Sequence, residues 1–285
     1  SDVCSSDLAK KFDIPVVGSY HTDFDKYLEY YDLQFLTKVL WSYMRWFHRP
    51  LRKIFVPSTD TQNHLKNHGF TNTAIWPRGV DCSVFYPQSS SQLLKNKFNI
   101  KEKHILTYVG RLAPEKDIGL LPKIQSALPH SIRHDVHWLI VGDGPSKQEL
   151  LKNAPHNMSF AGFQSGQNLA EIYAGSDIFV FPSATETFGN VVLESLASGT
   201  PVVGANAGGV RTIIKQEVTG HLCKQNDELS FASAITSLLE DEEKLEHMGY
   251  AGRQYALDQS WDSIFERLLN DYQSVLSPQK LQILA

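Results

Sequence analysis

Cysteine is scarce: Cys4, Cys82 and Cys223 are the only three in 285 residues, and they stand far apart. Isolated and odd in number, they suggest neither a disulfide framework nor a zinc site, and they fit a reducing, cytoplasmic compartment. Long hydrophobic runs are also missing. None reaches the ~20 apolar residues of a membrane span, so the chain is expected to be soluble, or at most peripheral to a membrane. A surplus of positive charge is absent as well, with 27 Lys and Arg against 31 Asp and Glu for a net charge of -4. Without a basic tail or stripe, nucleic acid is not an expected partner. No G-x-G-x-x-G opens a βα unit, which argues against a plain dinucleotide-dependent dehydrogenase. A lone D-x-D, Asp23-Phe24-Asp25, reads as the start of a helix and not as a metal site, so no metal or cofactor is expected.

What is present is ordinary globular composition, 42% hydrophobic and 20% charged, in a length that suits two modest domains. From residue 105 onward, strands and helices alternate. Short apolar runs at 105–109, 137–141, 158–160, 178–181, 202–204 and 220–222 predict strands. Helical periodicity falls between them, for example at 120–127, 147–151 and 169–174, and continues at 228–239, 242–256 and 261–275. This is the pattern of a parallel, doubly wound α/β sheet. The polar run 88–92, QSSSQ, marks the expected domain boundary. Ahead of it, strands are expected at 14–19, 54–57 and 73–76. A helix is expected at 33–47, and another follows a cap at 58–60 with Thr59 and Gln62 in capping-box spacing. Residues 1–8 carry no periodicity, so the sequence is expected to begin in mid-domain.

The chain is organised around residues 181–209, with the strand 177–181 leading in. A buried strand, DIFVF, breaks at Pro182-Ser183 and gives way to a polar turn and a helix expected from about 189 to 197. Glu186 lies in the turn and Glu194 inside the helix, with seven residues between them. The backbone N–H groups of Phe188, Gly189 and Asn190 point out of that helix start, where orphan donors and the helix dipole favour a phosphate. Two carboxylates flanking such a site suit the hydroxyls of a sugar nucleotide. The plainer reading is a βαβ unit with two solvated glutamates, and for an isolated E-x7-E it wins.

Other strand ends carry charge or glycine. In 108–116, YVGRLAPEK, Gly110 leaves backbone room, and Arg111 and Lys116 can aim two cations at one point across a Pro-containing turn. A departing diphosphate needs such a pair; a surface loop with two ordinary cations is the alternative. Gly142 and Gly144 in VGDGP, and Gly162-Phe163, form further turns at strand ends. No residue stands out as a nucleophile opposed to a general acid, as a two-carboxylate glycosidase requires.

Taken together, TETFGNVVLE (185–194), ASGTPVV (197–203), the AGG at 207–209 and R-x4-K resemble the retaining GT-B glycosyltransferases of family 4 and group 1 type, which use nucleotide sugars. SYHTD at 19–23, Tyr27 and Tyr30, Leu40-Trp41, Arg45 to His48, WPRGVD at 76–81 and NAGGVR at 206–211 narrow the likeness. They resemble the bacterial subgroup of GDP-mannose-dependent α-mannosyltransferases and sulfoquinovosyl- and glucosyl-diacylglycerol synthases. The resemblance implies two Rossmann-like domains. Residues 1–88 would be an incomplete acceptor-side domain without its first βα units, 89–260 the donor domain, and 261–285 a helix returning to the first domain. It implies that Arg111 and Lys116 bind the donor diphosphate, assisted by the 188–190 backbone and Val191. Glu186 would contact sugar hydroxyls, Glu194 the ribose, Gly110, Gly142 and Gly144 the nucleotide, and the Gly162-Phe163 backbone the base edge. His21 would approach the donor sugar. The expected acceptor is a lipid or glycan hydroxyl, with catalysis by His21, Glu186, Arg111 and Lys116.

One stretch reads two ways. The 33–47 helix is aromatic (Trp41, Tyr43, Trp46, Phe47) and runs into Arg45, His48, Arg49, Arg52 and Lys53. It suits a membrane interface at the inner face of the plasma membrane, or a core helix whose basic end complements its dipole.

Overall fold

The computed structural model describes residues 3–25, 28, 32–88 and 90–276; Tyr27 and Tyr30 of the resemblance lie outside them. The chain divides into two compact units. One holds the chain up to Arg78 together with the helix Trp261–Val275, and the other runs from Gly79 to Ser260.

In the first unit, three parallel strands, β1 (Val17–Ser19), β2 (Lys53–Val56) and β3 (Thr73–Ile75), lie side by side in that order. Their helices are Val3–Lys11, Thr37–His48 and Thr59–Asn67. The second of these starts four residues later than the spacing predicts, because a 3-10 turn, Gln34–Leu36, precedes it. The third is capped by Ser58, whose hydroxyl accepts the Thr61 amide at 3.2 Å, and not by the Thr59–Gln62 pair. Ser58 is extended and buried, the geometry an N-cap needs, whereas Thr59 is already helical. Ile54, Val56, Trp41, Met44, Leu65 and Phe70 form the core of this unit. The helix Trp261–Val275 joins it through a Lys53–Asp271 ion pair at 2.7 Å and the Phe55 and Tyr272 rings, 5.5 Å apart and edge-on.

The second unit contains β4 (His104–Val109), β5 (Val136–Val141), β6 (Met158–Gly162), β7 (Ile178–Phe181), β8 (Val202–Ala205) and β9 (Gly220–Cys223). All are parallel, in the order β6-β5-β4-β7-β8-β9. The first three strands step outward one way, and β7 returns to the other side of β4. That reversal is the doubly wound switch point, where ligands bind beyond the carboxyl ends of the strands. The near-continuous apolar runs follow from burial on both faces: every residue of β5, β7 and β8 is buried. The core is closed by Trp138, whose indole N–H donates to Gln125 at 2.8 Å and so carries no unsatisfied donor inside.

The units part at 78/79, ten residues ahead of the polar run expected to separate them. Val80 is buried in the second core and bridges to Ser260. The Arg253 guanidinium donates to the carbonyls of Phe85 at 2.7 Å, Ala197 at 2.8 Å and Cys82 at 3.3 Å, which ties residues 79–87 to this unit. A polar composition at 88–92 marks a surface turn, and these buried bonds set the division.

Candidate donor site at the carboxyl edge of the second sheet

The β4 strand ends at Val109, and the chain turns sharply through Gly110 into a 3-10 turn, Pro114–Lys116. The buried Tyr108 hydroxyl donates to the Arg111 carbonyl at 3.1 Å and holds the turn against the sheet. Burial, and then the charges of Glu186 and Asp117, push that phenol far above its ordinary pKa, so it stays a neutral donor. β7 ends at Phe181, and the loop behind it reaches the helix Asn190–Ala197, capped by Gly189. Because β4 and β7 are neighbours, the two ends meet. Lys116 forms an ion pair with Glu186, and Arg111 with Glu115.

The two pairs differ in burial. The Arg111 side chain is 55% exposed while that of Glu115 is only 5% exposed, so the arginine is free to reorient on a ligand while its carboxylate stays fixed. Lys116 and Glu186 are both half-buried. Further along the loop, Phe188 and Gly189 are buried and Asn190 is exposed. The first helical bonds run from the Val192 and Leu193 amides to the Gly189 carbonyl. The preceding amides, through Val191, therefore stand ahead of the ladder at the positive end of the helix. Glu194, one turn inside, accepts the Tyr173 hydroxyl at 3.3 Å. Burial raises its pKa, and the tyrosine partly offsets that rise.

Two glycine turns complete the edge. The Gly142 amide donates to the Gly162 carbonyl at 2.8 Å, and the Gly110 amide to Val141 at 3.0 Å, so three strand ends are laced together. The Leu112 amide donates to Asp143 at 2.9 Å, and the Ser146 amide to Leu112 at 2.9 Å, which brings the Gly144 turn against the Arg111 turn. Phe163 projects with 77% of its surface exposed beside Gly162. Arg111, Lys116, Glu186 and the 188–191 backbone thus share one edge, with Gly110, Gly142, Gly144, Gly162 and Phe163 on the same side of the sheet. Residues beyond the sequence reading also enter: Glu115, Asp117, Thr185, Tyr108 and Tyr173. Glu115, Asp117, Thr185 and Tyr108 stand within or beside the motifs in sequence, whereas Tyr173 lies on the helix Gly166–Ala174 with no sequence signal.

His21 belongs to the first unit, just past β1. Its half-buried ring lies 5.9 Å from that of Trp76, over which the Arg78 guanidinium sits at 5.4 Å. Burial, and then the Arg78 charge, lower its pKa, so it is neutral at pH 7 and able to donate or accept a hydrogen bond. In the nearby helix, Trp41 leaves the expected aromatic surface: it is buried, stacked on His68 with ring centres 3.7 Å apart. Phe35, Val39, Tyr43 and Trp46 are exposed instead, beside exposed Arg45, Arg49 and Arg52. Among the described residues, no helix is long and apolar enough to cross a membrane.

A reversed, wholly parallel sheet with paired cations, carboxylates and a helix start at its carboxyl edge, accompanied by a second parallel sheet, defines the GT-B class of α/β proteins. The chain belongs to the Glycosyl transferases group 1 family, which it matches over residues 90–255, and it matches Glycosyltransferase Family 4 over residues 4–84. It is 34% identical over 276 residues to sulfoquinovosyl transferase SQD2 of Arabidopsis thaliana, covering 94% of this chain and 53% of that protein. It is 32% identical over 268 residues to a GDP-mannose-dependent alpha-mannosyltransferase of Mycobacterium tuberculosis, covering 94% of this chain and 68% of that protein. Among solved structures, Anabaena HepE in complex with UDP and glucose superposes with a TM-score of 0.81 at 19% identity, over 95% of this chain and 75% of that one. Sucrose-phosphate synthase from Thermosynechococcus elongatus gives 0.80 at 22% identity, over 95% and 70%. At these identities the two structures speak for the fold.

Proposed function

We propose that this chain works as a retaining glycosyltransferase that moves a hexosyl group from a nucleotide sugar, mannose from GDP-mannose, to a lipid or glycan hydroxyl without a metal. The observation that carries this reading is the meeting of Lys116, Arg111 and Glu186 at the switch point, ahead of a helix start. There the two cations and the 188–191 amides would take the diphosphate, and their attraction would strengthen as the sugar–oxygen bond breaks and negative charge collects on the leaving group. Glu186 would accept from sugar hydroxyls, Glu194 from the ribose, and the neutral His21 would donate to a sugar hydroxyl. The departing diphosphate oxygen would take the acceptor proton on the same face.

A second reading keeps the site and changes the donor. SQD2 is a sulfoquinovosyl transferase, and the alternative is a UDP-sugar donor, with a glucosyl or sulfoquinovosyl group moved to diacylglycerol. Calorimetric titration with GDP, UDP and ADP separates them. Selective GDP binding, lost in Arg111→Ala, is expected; selective UDP binding would move the donor, and no binding would sink the site. Detecting sugar transfer beside binding distinguishes an enzyme from a nucleotide-binding module.

A lipid acceptor is supported by the exposed Phe35, Val39, Tyr43 and Trp46 face and its neighbouring arginines, at the membrane's inner surface. At about 1 kcal/mol per basic residue near an anionic surface, Arg49→Ala/Arg52→Ala is expected to weaken co-sedimentation with anionic vesicles roughly 30-fold. Equal sedimentation with neutral vesicles would refute the contact.

A further inference from the structure

The two halves of the donor site are borne by different strands, and the sheet does not set their register. Paired residues between β4 and β7 are Leu106 with Ile178 and Thr107 with Phe179. Beyond them the chains leave the ladder, yet Lys116 and Glu186 still meet. Two side-chain bonds span the gap. The Ala184 amide donates to Asp117 Oδ2 at 3.3 Å, and the Thr185 hydroxyl donates to the Glu115 carbonyl at 2.8 Å. Each acceptor flanks Lys116 in sequence, and each donor lies within two residues of Glu186. Asp117 closes the 3-10 turn in the left-handed conformation, with φ 53° and its amide donating to Pro114 at 3.0 Å, which aims its carboxylate across the site and not into solvent.

We propose that Asp117 and Thr185 are positioning residues that hold the cationic turn and the carboxylate loop in one register, so that Lys116 and Glu186 face a donor together. This rests on the donor-site reading above. Neither residue needs to touch substrate. With the stitch cut, the loop at 182–188 keeps its sequence and its glutamate but samples other placements, and the donor must order it again on each turnover.

Asp117 allows a direct test, because Asp, Asn and Gly all tolerate its backbone while only Asp and Asn offer an acceptor oxygen, and Asn separates loss of the charge from loss of the bond. Asp117→Asn keeps a left-handed-tolerant residue with an acceptor oxygen, whereas Asp117→Gly keeps the backbone and removes the acceptor. Amide exchange at Ala184 is measured in the nucleotide-free protein, alongside donor and acceptor kinetic constants. In Asp117→Gly, exchange at Ala184 is expected to quicken and donor kcat/KM to fall, each by about tenfold, with the acceptor KM unmoved. Asp117→Asn is expected to return both to within about twofold of the parent. Thr185→Val is expected to mimic Asp117→Gly, and Thr185→Ser to restore it. Unchanged Ala184 exchange in Asp117→Gly would overturn the stitch, and so would faster exchange with unchanged donor constants. A parent protein that shows the Asp117-dependent exchange but binds no GDP or UDP would overturn the donor-site reading, and with it the role assigned here.

Discussion

Lys116→Ala is expected to weaken nucleoside-diphosphate binding about 100-fold, the upper end of what loss of one contact implies. A charge-assisted hydrogen bond contributes roughly 1.5–3 kcal/mol, and that alone gives at most about two decades at 1.4 kcal/mol each. The half-buried Glu186, however, is paired with this lysine. Without its partner the carboxylate faces the incoming phosphates and repels them, and a partly desolvated charge left alone costs more than an exposed one. The pair makes a second, sharper expectation possible. Lys116→Ala/Glu186→Gln should recover part of the lost diphosphate affinity, because the repulsion goes with the charge, while sugar transfer stays at background. Calorimetry with GDP and UDP on the single and double variants checks this. Equal affinities for the two variants would show that Glu186 does not face the diphosphate.

The other large effect concerns stability. Gly142 has φ +132°, and a Cβ there would lie 1.9 Å from the Gly110 carbonyl oxygen, with further backbone atoms at 3.0 and 3.7 Å. No rotamer relieves a clash with backbone, so Gly142→Ala must pry β4 from β5 at their carboxyl ends. A cost of about 4 kcal/mol is expected, near the top of what single substitutions do. For a unit of this size that corresponds to a Tm lower by roughly 10 °C. Gly166→Ala is the matched comparison. It too has a positive φ, +54°, but nothing lies within 4 Å of the added atom. It should cost only the left-handed strain of about 1–2 kcal/mol. Thermal melts of the two variants check the difference, and similar losses would show that conformation outweighs the contact.

The fold was largely legible because burial on both faces writes itself into the sequence. Runs such as 137–141 and 178–181 are apolar throughout, and the strands Val136–Val141 and Ile178–Phe181 fall on them. Helix limits from 228 to 239 and from 261 to 275 were equally plain, since each has a polar or capping residue at its start and a clear periodicity. Charged residues at strand ends announced where the site should be sought, because two cations and two glutamates have no packing reason to stand there. What could not be read depends on partners distant in sequence. Trp41 looks like its aromatic neighbours until His68 covers it. Glu115 looks like any surface glutamate in a PEK turn, yet its side chain is nearly closed off from water. Thr185 and Asp117 acquire meaning only when β7 returns beside β4. The division at 78/79 was hidden for the same reason: Arg253 reaches back some 170 positions to the carbonyls of Cys82 and Phe85.

The way the chain threads its two units has a consequence for how such a protein can change. The second unit is one uninterrupted stretch from Gly79 to Ser260, with its own core and its own edge of charged loops. The first is interrupted, and needs the helix Trp261–Val275 to come back after the other is finished. A gene can therefore exchange the inner segment as a cassette, joined at two positions bridged by the Val80–Ser260 pair, without cutting any strand. On the ribosome the order is fixed as well: the inner unit is complete before the helix Trp261–Val275 emerges, so the outer one matures after it. Recombination that respects these two junctions would exchange the inner unit while leaving the rest of the inheritance intact.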